Sequence, residues 1–355
     1  MIVRIRDVVN RVNNNIDRFN TDIKYYLGKG HGECGELAIT EHGDLKKDVG
    51  LLGFKFHFAF KPGDSLFFSR SFALRKAGMA TYEGLCSDST YILRSKDNNV
   101  LLPEYLPIVI QSESFWDYCN THHTGGVNFL INWNTLADYE FDLPPIEEQR
   151  MLADKLWSAY RLKESYKKLL TATQEMVKSQ FIEMFKNDKM VPLGKFCSIE
   201  KGSTITRNEV SPGDIPVVAG GQEPSCYHNV SNREAGMITV SASGAYAGFV
   251  NYWTCPIFAS DCNTISPKEK NATDTTFLFY GMKALQKHIY GLQKGGAQPH
   301  VYGKDLQNLL FPLPTIDKQS SFSRIAQQAD KSEFELRKSI EAIDQVIKSL
   351  INDIK

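Results

Sequence analysis

The sequence predicts an α+β protein. Two mixed α/β globular regions are separated by two long antiparallel helices that form a coiled-coil spacer. Three observations predict it. Segments of the chain repeat at an offset of about 170 residues. Two stretches of about 40 residues contain neither Pro nor Gly and carry apolar residues at helical spacing. Between them lie long regions rich in Gly, aromatic and β-branched residues. The predicted partition is 1–142, 143–189, 190–312 and 313–355.

The repeat is clearest where Gly125-Gly126-Val127-Asn128-Phe129-Leu130-Ile131 lines up with Gly295-Gly296-Ala297-Gln298-Pro299-His300-Val301. Leu136 then matches Leu306, Phe141 matches Phe311, Leu143-Pro144 matches Leu313-Pro314, and Gln149 matches Gln319. A looser match, Ser87-Asp88 against Ser260-Asp261, lies upstream at a slightly different offset. The opening Val3-Arg4-Ile5 resembles Val191-Pro192-Leu193.

Each unit ends in a Leu-Pro segment. Proline suits the first turn of a helix and not its interior, so these prolines mark helix starts. After Ile146 the apolar positions are Leu152, Leu156, Ala159, Leu162, Tyr166, Leu170, Val177 and Met184. After Ile316 they are Leu336, Ile340, Ile343, Ile347, Leu350 and Ile354, a heptad seam. So long an apolar stripe has to be covered, and each helix supplies the other's partner.

In the first globular region Phe54 to Phe60, Ser65 to Ser69 and Ser89 to Leu93 read as strands. Leu102 to Cys119 reads as a helix interrupted at Pro107. In the second, Met237–Ser241 and 247–252 read as adjacent strands joined by the turn 242–246. Phe277 to Tyr290 reads as an amphipathic helix leading into Gly295-Gly296.

Composition narrows the function classes. The chain has 355 residues, 42% hydrophobic and 23% charged, ordinary for a globular protein with a sizeable core. No apolar run approaches the ~20 residues of a membrane span, and the start lacks the apolar core of a signal peptide. The default location is the cytoplasm. Seven scattered cysteines with no Cys-x-x-Cys are expected to be free thiols. His31-x-x-Cys34 and His122-His123 lack a second ligand pair at zinc-site spacing. With 41 basic and 41 acidic residues the net charge is zero, so any nucleic-acid contact must come from a local patch.

Catalytic motifs are missing. Gly303-Lys304 is followed by Asp305 and is not preceded by the glycine of a phosphate-binding loop. No Asn-Pro-Pro-Tyr, Gly-x-Ser-x-Gly or nuclease-type acidic pattern is present.

Leu143-Pro144-Pro145-Ile146-Glu147-Glu148-Gln149-Arg150 closely resembles the signature that opens a long helix in type I restriction-modification specificity subunits. Leu313-Pro314-Thr315-Ile316-Asp317-Lys318-Gln319 is its second copy. Gly295 to Val301 looks like the loop preceding that signature. Ile215 to Gly221 and Ser241-x-Ser243-Gly244 also fit the pattern. The resemblance implies a non-catalytic protein whose two globular regions are target-recognition domains, each reading half of a split DNA site. It implies that the helices set the gap between half-sites and dock two methyltransferase subunits, with motor-nuclease restriction subunits joining. S-adenosylmethionine and ATP with Mg are expected on those partners, and no cofactor in this chain. In the first unit Asn128-Phe129-Leu130 replaces Gln298-Pro299-His300, so its residue assignments are less direct.

Base edges are read by Arg, Lys, Asn, Gln, Ser and Thr, while phosphates are held by cations and exposed backbone N–H groups. In the second unit this selects Ser241, Ser243, Tyr246, Gln298, His300 and Gln222, with Lys201, Arg207 and Lys294 on phosphate and the loop Gly295-Gly296. In the first it selects Ser69, Arg70, Ser71 and Arg75, then Thr124, Gly125, Gly126 and Asn128. Lys29 and His31, in another glycine-rich loop, are weaker choices. Each could instead be a solvated loop residue, and Gly295-Gly296 could be a plain helix stop. Two other readings remain open: a scaffold with no DNA role, which a salt-sensitive DNA shift would exclude, and part of a methyltransferase-nuclease, which S-adenosylmethionine binding would support.

Overall fold

The computed structural model describes residues 1–70, 72–126, 129–269 and 271–352. They form two compact units. One is Met1–Tyr166 with Ser339–Lys355, the other Lys167–Lys338.

In the first unit Ile2–Arg4 pairs antiparallel with Glu140–Asp142, Val3 opposite Phe141. A single helical turn, Ile5–Val8, follows. Five strands then run in the order Val9–Val12, Thr90–Ser95, Ser65–Phe68, Ala77–Ala80, Ala38–Ile39. A second sheet orders Gly43–Asp44, Tyr25–Leu27, Gly84–Ser87, Phe56–Phe60. The strand Ser65–Phe68 is buried at every residue, as expected for one covered on both faces. Phe67 meets Phe115 edge-on at 5.7 Å and stacks on Trp116 at 5.9 Å, tying the sheet to the helix Glu113–His122.

The second unit repeats this plan with shorter insertions. Met190–Pro192 pairs with Leu310–Pro312, Val191 opposite Phe311, and the turn Leu193–Phe196 follows. A four-stranded sheet orders Cys197–Lys201, Cys262–Pro267, Met237–Ser241, Val250–Trp253. A three-stranded sheet orders Cys226–His228, Ile215–Val218, Phe258–Ala259. The resemblance of Val3-Arg4-Ile5 to Val191-Pro192-Leu193 therefore has a structural meaning. In each unit the following residue's N–H, Ile5 or Leu193, donates to the carbonyl two residues before the paired strand's phenylalanine, Tyr139 or Leu309.

The long helices are Ile146–Phe185 and Ile316–Asn352. At 1.5 Å per residue the first is ~60 Å long. Glu147, Glu148 and Asp317 lie in their first turns, where the helix dipole favours acids. Each helix contributes to both cores. In the first unit Leu156, Trp157 and Tyr160 share a core with Ile347 and Ile351. In the second, Val177, Phe181 and Phe185 pack with Phe322, Ala326 and Ala329 around Phe277 and Phe311. There Gln174 bonds Glu333 at 3.0 Å and Phe181 meets Phe322 at 5.4 Å, so the two segments run antiparallel. The protein is thus α+β, with two mixed regions and two long helices.

The repeated glutamine of the Leu-Pro segments joins each helix to its globular region. Gln149 is fully buried, accepts from the Leu102 N–H at 3.0 Å, and donates to the Val100 and Pro144 carbonyls at 2.8 and 2.9 Å. Gln319 is also fully buried. It accepts from the Asp274 N–H at 2.8 Å and donates to the Ala272 and Pro314 carbonyls at 3.1 and 2.9 Å. A chain segment with no secondary structure of its own is thereby pinned to the first helical turn.

Several local expectations need correction. Pro107 does not interrupt a helix. It sits in the first turn of Leu106–Ile110, where its missing N–H costs nothing. The break falls at Gln111-Ser112, and the Ser112 hydroxyl accepts from the Phe115 N–H at 3.3 Å to start Glu113–His122. The expected helix 277–290 is two, Thr275–Ala284 and Gln286–Tyr290, the first capped by Asp274. Leu162 is 45% exposed, whereas its neighbour Lys163 is 4% exposed. Lys163 bonds both oxygens of Glu36, at 2.9 and 2.7 Å, and Asp344 at 2.9 Å. Ile351 is buried beside Ile347; Ile354 lies outside the described residues. No helix among the described residues is long and apolar enough to cross a membrane.

Candidate nucleic-acid interface

The two Gly-Gly loops are built alike. Thr124 and Leu130 exchange both backbone hydrogen bonds at 2.9 Å; Lys294 and His300 do so at 2.9 and 2.8 Å. The pairs are 170 residues apart. Gly125 and Gly295 have φ of +94° and +97°, the left-handed region where a side chain is strained. A Cβ on Gly295 would also lie 2.8 Å from the Gln298 carbonyl. Each loop is then fastened to the residue that follows a strand, Ser65–Phe68 in the first unit and Met237–Ser241 in the second. The Ile131 N–H donates to the Ser69 carbonyl at 3.0 Å, and the Val301 N–H to the Ala242 carbonyl at 2.9 Å.

In the second unit this fastening collects most of the selected residues on one surface. Ser243 and His300 form a bridge, and the Gly244 N–H donates to the Pro299 carbonyl at 3.0 Å. The Ser241 hydroxyl, 4% exposed, donates to the Gly221 carbonyl at 3.2 Å, bringing up the loop that carries Gln222. Tyr246 is 47% exposed, Gln298 is exposed, and His300 stacks on Tyr302 with centroids 6.0 Å apart. Lys201 ends its strand opposite Asn263 at the same sheet end. Lys294 is held by Asp305 at 2.8 Å, so its charge is already paired. Arg207 lies in an exposed turn, and among the described residues no hydrogen bond ties its side chain to the group.

The sequence reading missed Asp261. Its carboxylate accepts from the Ser243 hydroxyl at the centre of this surface. A carboxylate there repels phosphate but can accept from a cytosine amino group. Its one sequence signal is the Ser260-Asp261 match to Ser87-Asp88.

In the first unit the selected residues divide. Ser69 is buried and donates to the Ser89 carbonyl at 2.7 Å, so its side chain supports the loop from inside. Arg70 is exposed beside Lys29 and Phe129. Ser71 and Asn128 lie outside the described residues. Thr124 is spent on closing its loop, its hydroxyl donating to the Leu130 carbonyl at 3.1 Å. His31 accepts from the Gly28 N–H at 3.0 Å, and burial before anything else lowers its pKa. Among the described residues no group of three or more His, Cys, Asp or Glu is arranged to hold a metal.

Arg75 has φ +48° and turns away to Glu113, which it binds through both oxygens at 2.5 and 2.6 Å. That hydrogen bonding, ahead of the opposing effect of burial, holds the Glu113 carboxyl below its ordinary range. A lowered folded-state pKa means the stabilisation is complete above the ordinary carboxylate value, ~4.3, and is lost as pH falls through the folded value. Arg75→Ala should remove that dependence. The loss should be at most about 1 kcal/mol, because the pair is half exposed. Wild-type and variant denaturation curves that differ equally at pH 3 and pH 7 would contradict it.

Comparison with known proteins extends these observations. Residues 186–345 match the family model described as the type I restriction modification DNA specificity domain. The type I restriction enzyme MjaVIII specificity subunit of Methanocaldococcus jannaschii is 26% identical over 111 residues, 31% of this chain. Those residues span about a quarter of that relative's length, 26%. The crystal structure of an S subunit from M. genitalium superposes with a TM-score of 0.65 at 14% identity, covering 99% of this chain and 95% of the other. A structure from work on assembly and conformational transition of the type I R-M system superposes with 0.56 at 16% identity, covering 99% and 96%. At these identities the superpositions speak for the fold.

Proposed function

We propose that the whole chain, whose residues 186–345 match the type I restriction modification DNA specificity domain, is a specificity subunit that reads a bipartite DNA target. Regions 1–142 and 190–312 would each read one half-site. The chain would direct two methyltransferase subunits and the restriction subunits to that site. It would do no chemistry itself, and S-adenosylmethionine, ATP and Mg would reside on the partners.

The observation that carries this reading is the duplicated frame. The same terminal strand pair, the same buried glutamine and the same bridged Gly-Gly loop recur in both units. The side chains mounted on that frame differ: Arg70 and Phe129 in one unit, Ser243 and Pro299 in the other. A constant frame with variable loop side chains suits two modules that read different bases by the same geometry. Ser243, Tyr246, Gln298 and His300 are the proposed contacts in the second unit, and Arg70 with Lys29 in the first. A well-made bidentate base contact discriminates by ~1–3 kcal/mol, so single substitutions there should relax the target at one position.

The test is base-resolution methylation mapping in cells carrying this chain and its neighbouring methyltransferase, against cells lacking the chain. A split motif that depends on the chain is expected, and exchanging residues 1–142 should alter one half of it. An active, bound methyltransferase with no chain-dependent motif would leave the scaffold reading ahead.

A further inference from the structure

The duplicated frame lets corresponding positions of the two units be compared, and beside the Gly-Gly loop they differ in a way that bears on binding. In the first unit Leu27 pairs with Cys86 in parallel strands; in the second Val218 pairs with Ala259. Two residues on, Lys29 corresponds to Gly220. The loop fastening at Ser69 and Ala242 makes Arg70 correspond to Ser243. In the second unit these positions touch. A Cβ on Gly220 would lie 2.6 Å from the Ser243 carbonyl oxygen, so only glycine fits. In the first unit the corresponding place is a hollow of about 280 Å³, with Lys29 and Arg70 on its lining.

The other walls of the hollow define its chemistry. Phe56 and Phe129 supply aromatic faces, the latter 42% exposed. Ser87 and Ser89 supply hydroxyls, 2.7 Å apart. Asp88 lies between the two serines in sequence but is neutralised by Lys55 at 2.7 Å. Among the described residues Lys29 and Arg70 have no acidic partner. The volume is near the lower end of small-ligand sites, ~300–1,000 Å³. Two uncompensated cations, aromatic faces and a hydroxyl pair together suit a planar base bearing a phosphate.

We propose that this hollow holds a single nucleotide, its base against Phe56 and Phe129 and its phosphate on Lys29 and Arg70. The nucleotide is either one unstacked from duplex DNA or a free mononucleotide; both present the same chemistry. The inference extends the DNA-reading proposal to a property that only the first unit would have.

Two arms separate the sources, both with the full chain. In the first, the chain is irradiated with 5-iodo-deoxyuridine monophosphate and the crosslink is mapped by mass spectrometry. In the second, duplexes of the motif found by methylation mapping carry 2-aminopurine at successive positions, and fluorescence reports unstacking. Arg70→Ala and Phe129→Ala, both at exposed positions, are run beside the wild type, with melting curves to show that they fold. Brightening at one duplex position, reduced about tenfold in apparent affinity by each substitution, identifies the DNA source. A crosslink at Phe56 or Phe129 without brightening identifies the free nucleotide. Neither signal, or signals unchanged by both substitutions, overturns the proposal. That failure is distinct from failure of the specificity reading, because a chain-dependent methylation motif would still be found.

Discussion

Gln319→Leu is expected to destabilise the second unit by roughly 3–5 kcal/mol. Leucine keeps much of the volume but removes three hydrogen bonds at once. The Asp274 N–H and the Ala272 and Pro314 carbonyls would lose their side-chain partner next to a fully buried position. Each stranded group costs ~1–3 kcal/mol, and these three share one site, so they do not add fully. Gln319→Glu separates packing from hydrogen bonding: its shape is the same, but its carboxylate cannot donate to two carbonyls. It should be at least as damaging. Trp253, in the second unit, and Trp116, Trp133 and Trp157, in the first, give fluorescence changes that can be assigned by unit. The loss should appear in the Trp253 transition, and Gln149→Leu should move the other. A change below about 1 kcal/mol in both glutamine variants would mean that the anchoring bonds are replaced by water.

The second large effect is expected at Lys163. Its ammonium is buried between Glu36 and Asp344, whose side chains are 14% and 41% exposed. Lys163→Met breaks the ion pair between this ammonium and the nearly buried Glu36 carboxylate, and breaking such a pair costs ~3–5 kcal/mol. The exposed Asp344 contributes little of that, so about 3 kcal/mol is the expected loss. Adding Glu36→Gln removes the buried negative charge and should recover part of the loss. A double-mutant cycle reads the coupling directly. No recovery in the double variant would show that the lysine stem, and not its charge, holds the helix segment to the sheet.

What the sequence disclosed follows from the range of the interactions. The long helices were legible because helical periodicity is local and the Leu-Pro starts are explicit. The repeat was legible because the same anchoring glutamine and the same left-handed glycine are needed twice. Lys163 was not legible: a lysine on a helix reads as solvated, and its acids lie 127 and 181 residues away. The expected break at Pro107 failed because a helix start and a helix break look alike at a proline until the capping serine is seen. The nucleotide-sized hollow was hidden for the same reason as Lys163. Lys29 and Arg70 reach the lining of the hollow from strands of two different sheets, and the widening is visible only against Gly220 in the other unit. The hydroxyls of Ser69 and Ser241 read from sequence as base contacts, yet both face inward and hold loops together.

The division of the helices between cores has a consequence for the order of folding. The second unit is one uninterrupted stretch, Lys167–Lys338. The first unit is not: Ile347 and Ile351 belong to the same core as Ile5, Leu106 and Trp157. At ~5–20 residues per second, synthesis reaches Ser339 roughly 9–35 s after Tyr166. During that interval the earlier-made half lacks part of its own interior, with the surface around Tyr160 uncovered. The later-made half can therefore close first. Deleting residues 339–355 would injure the beginning of the protein more than the end.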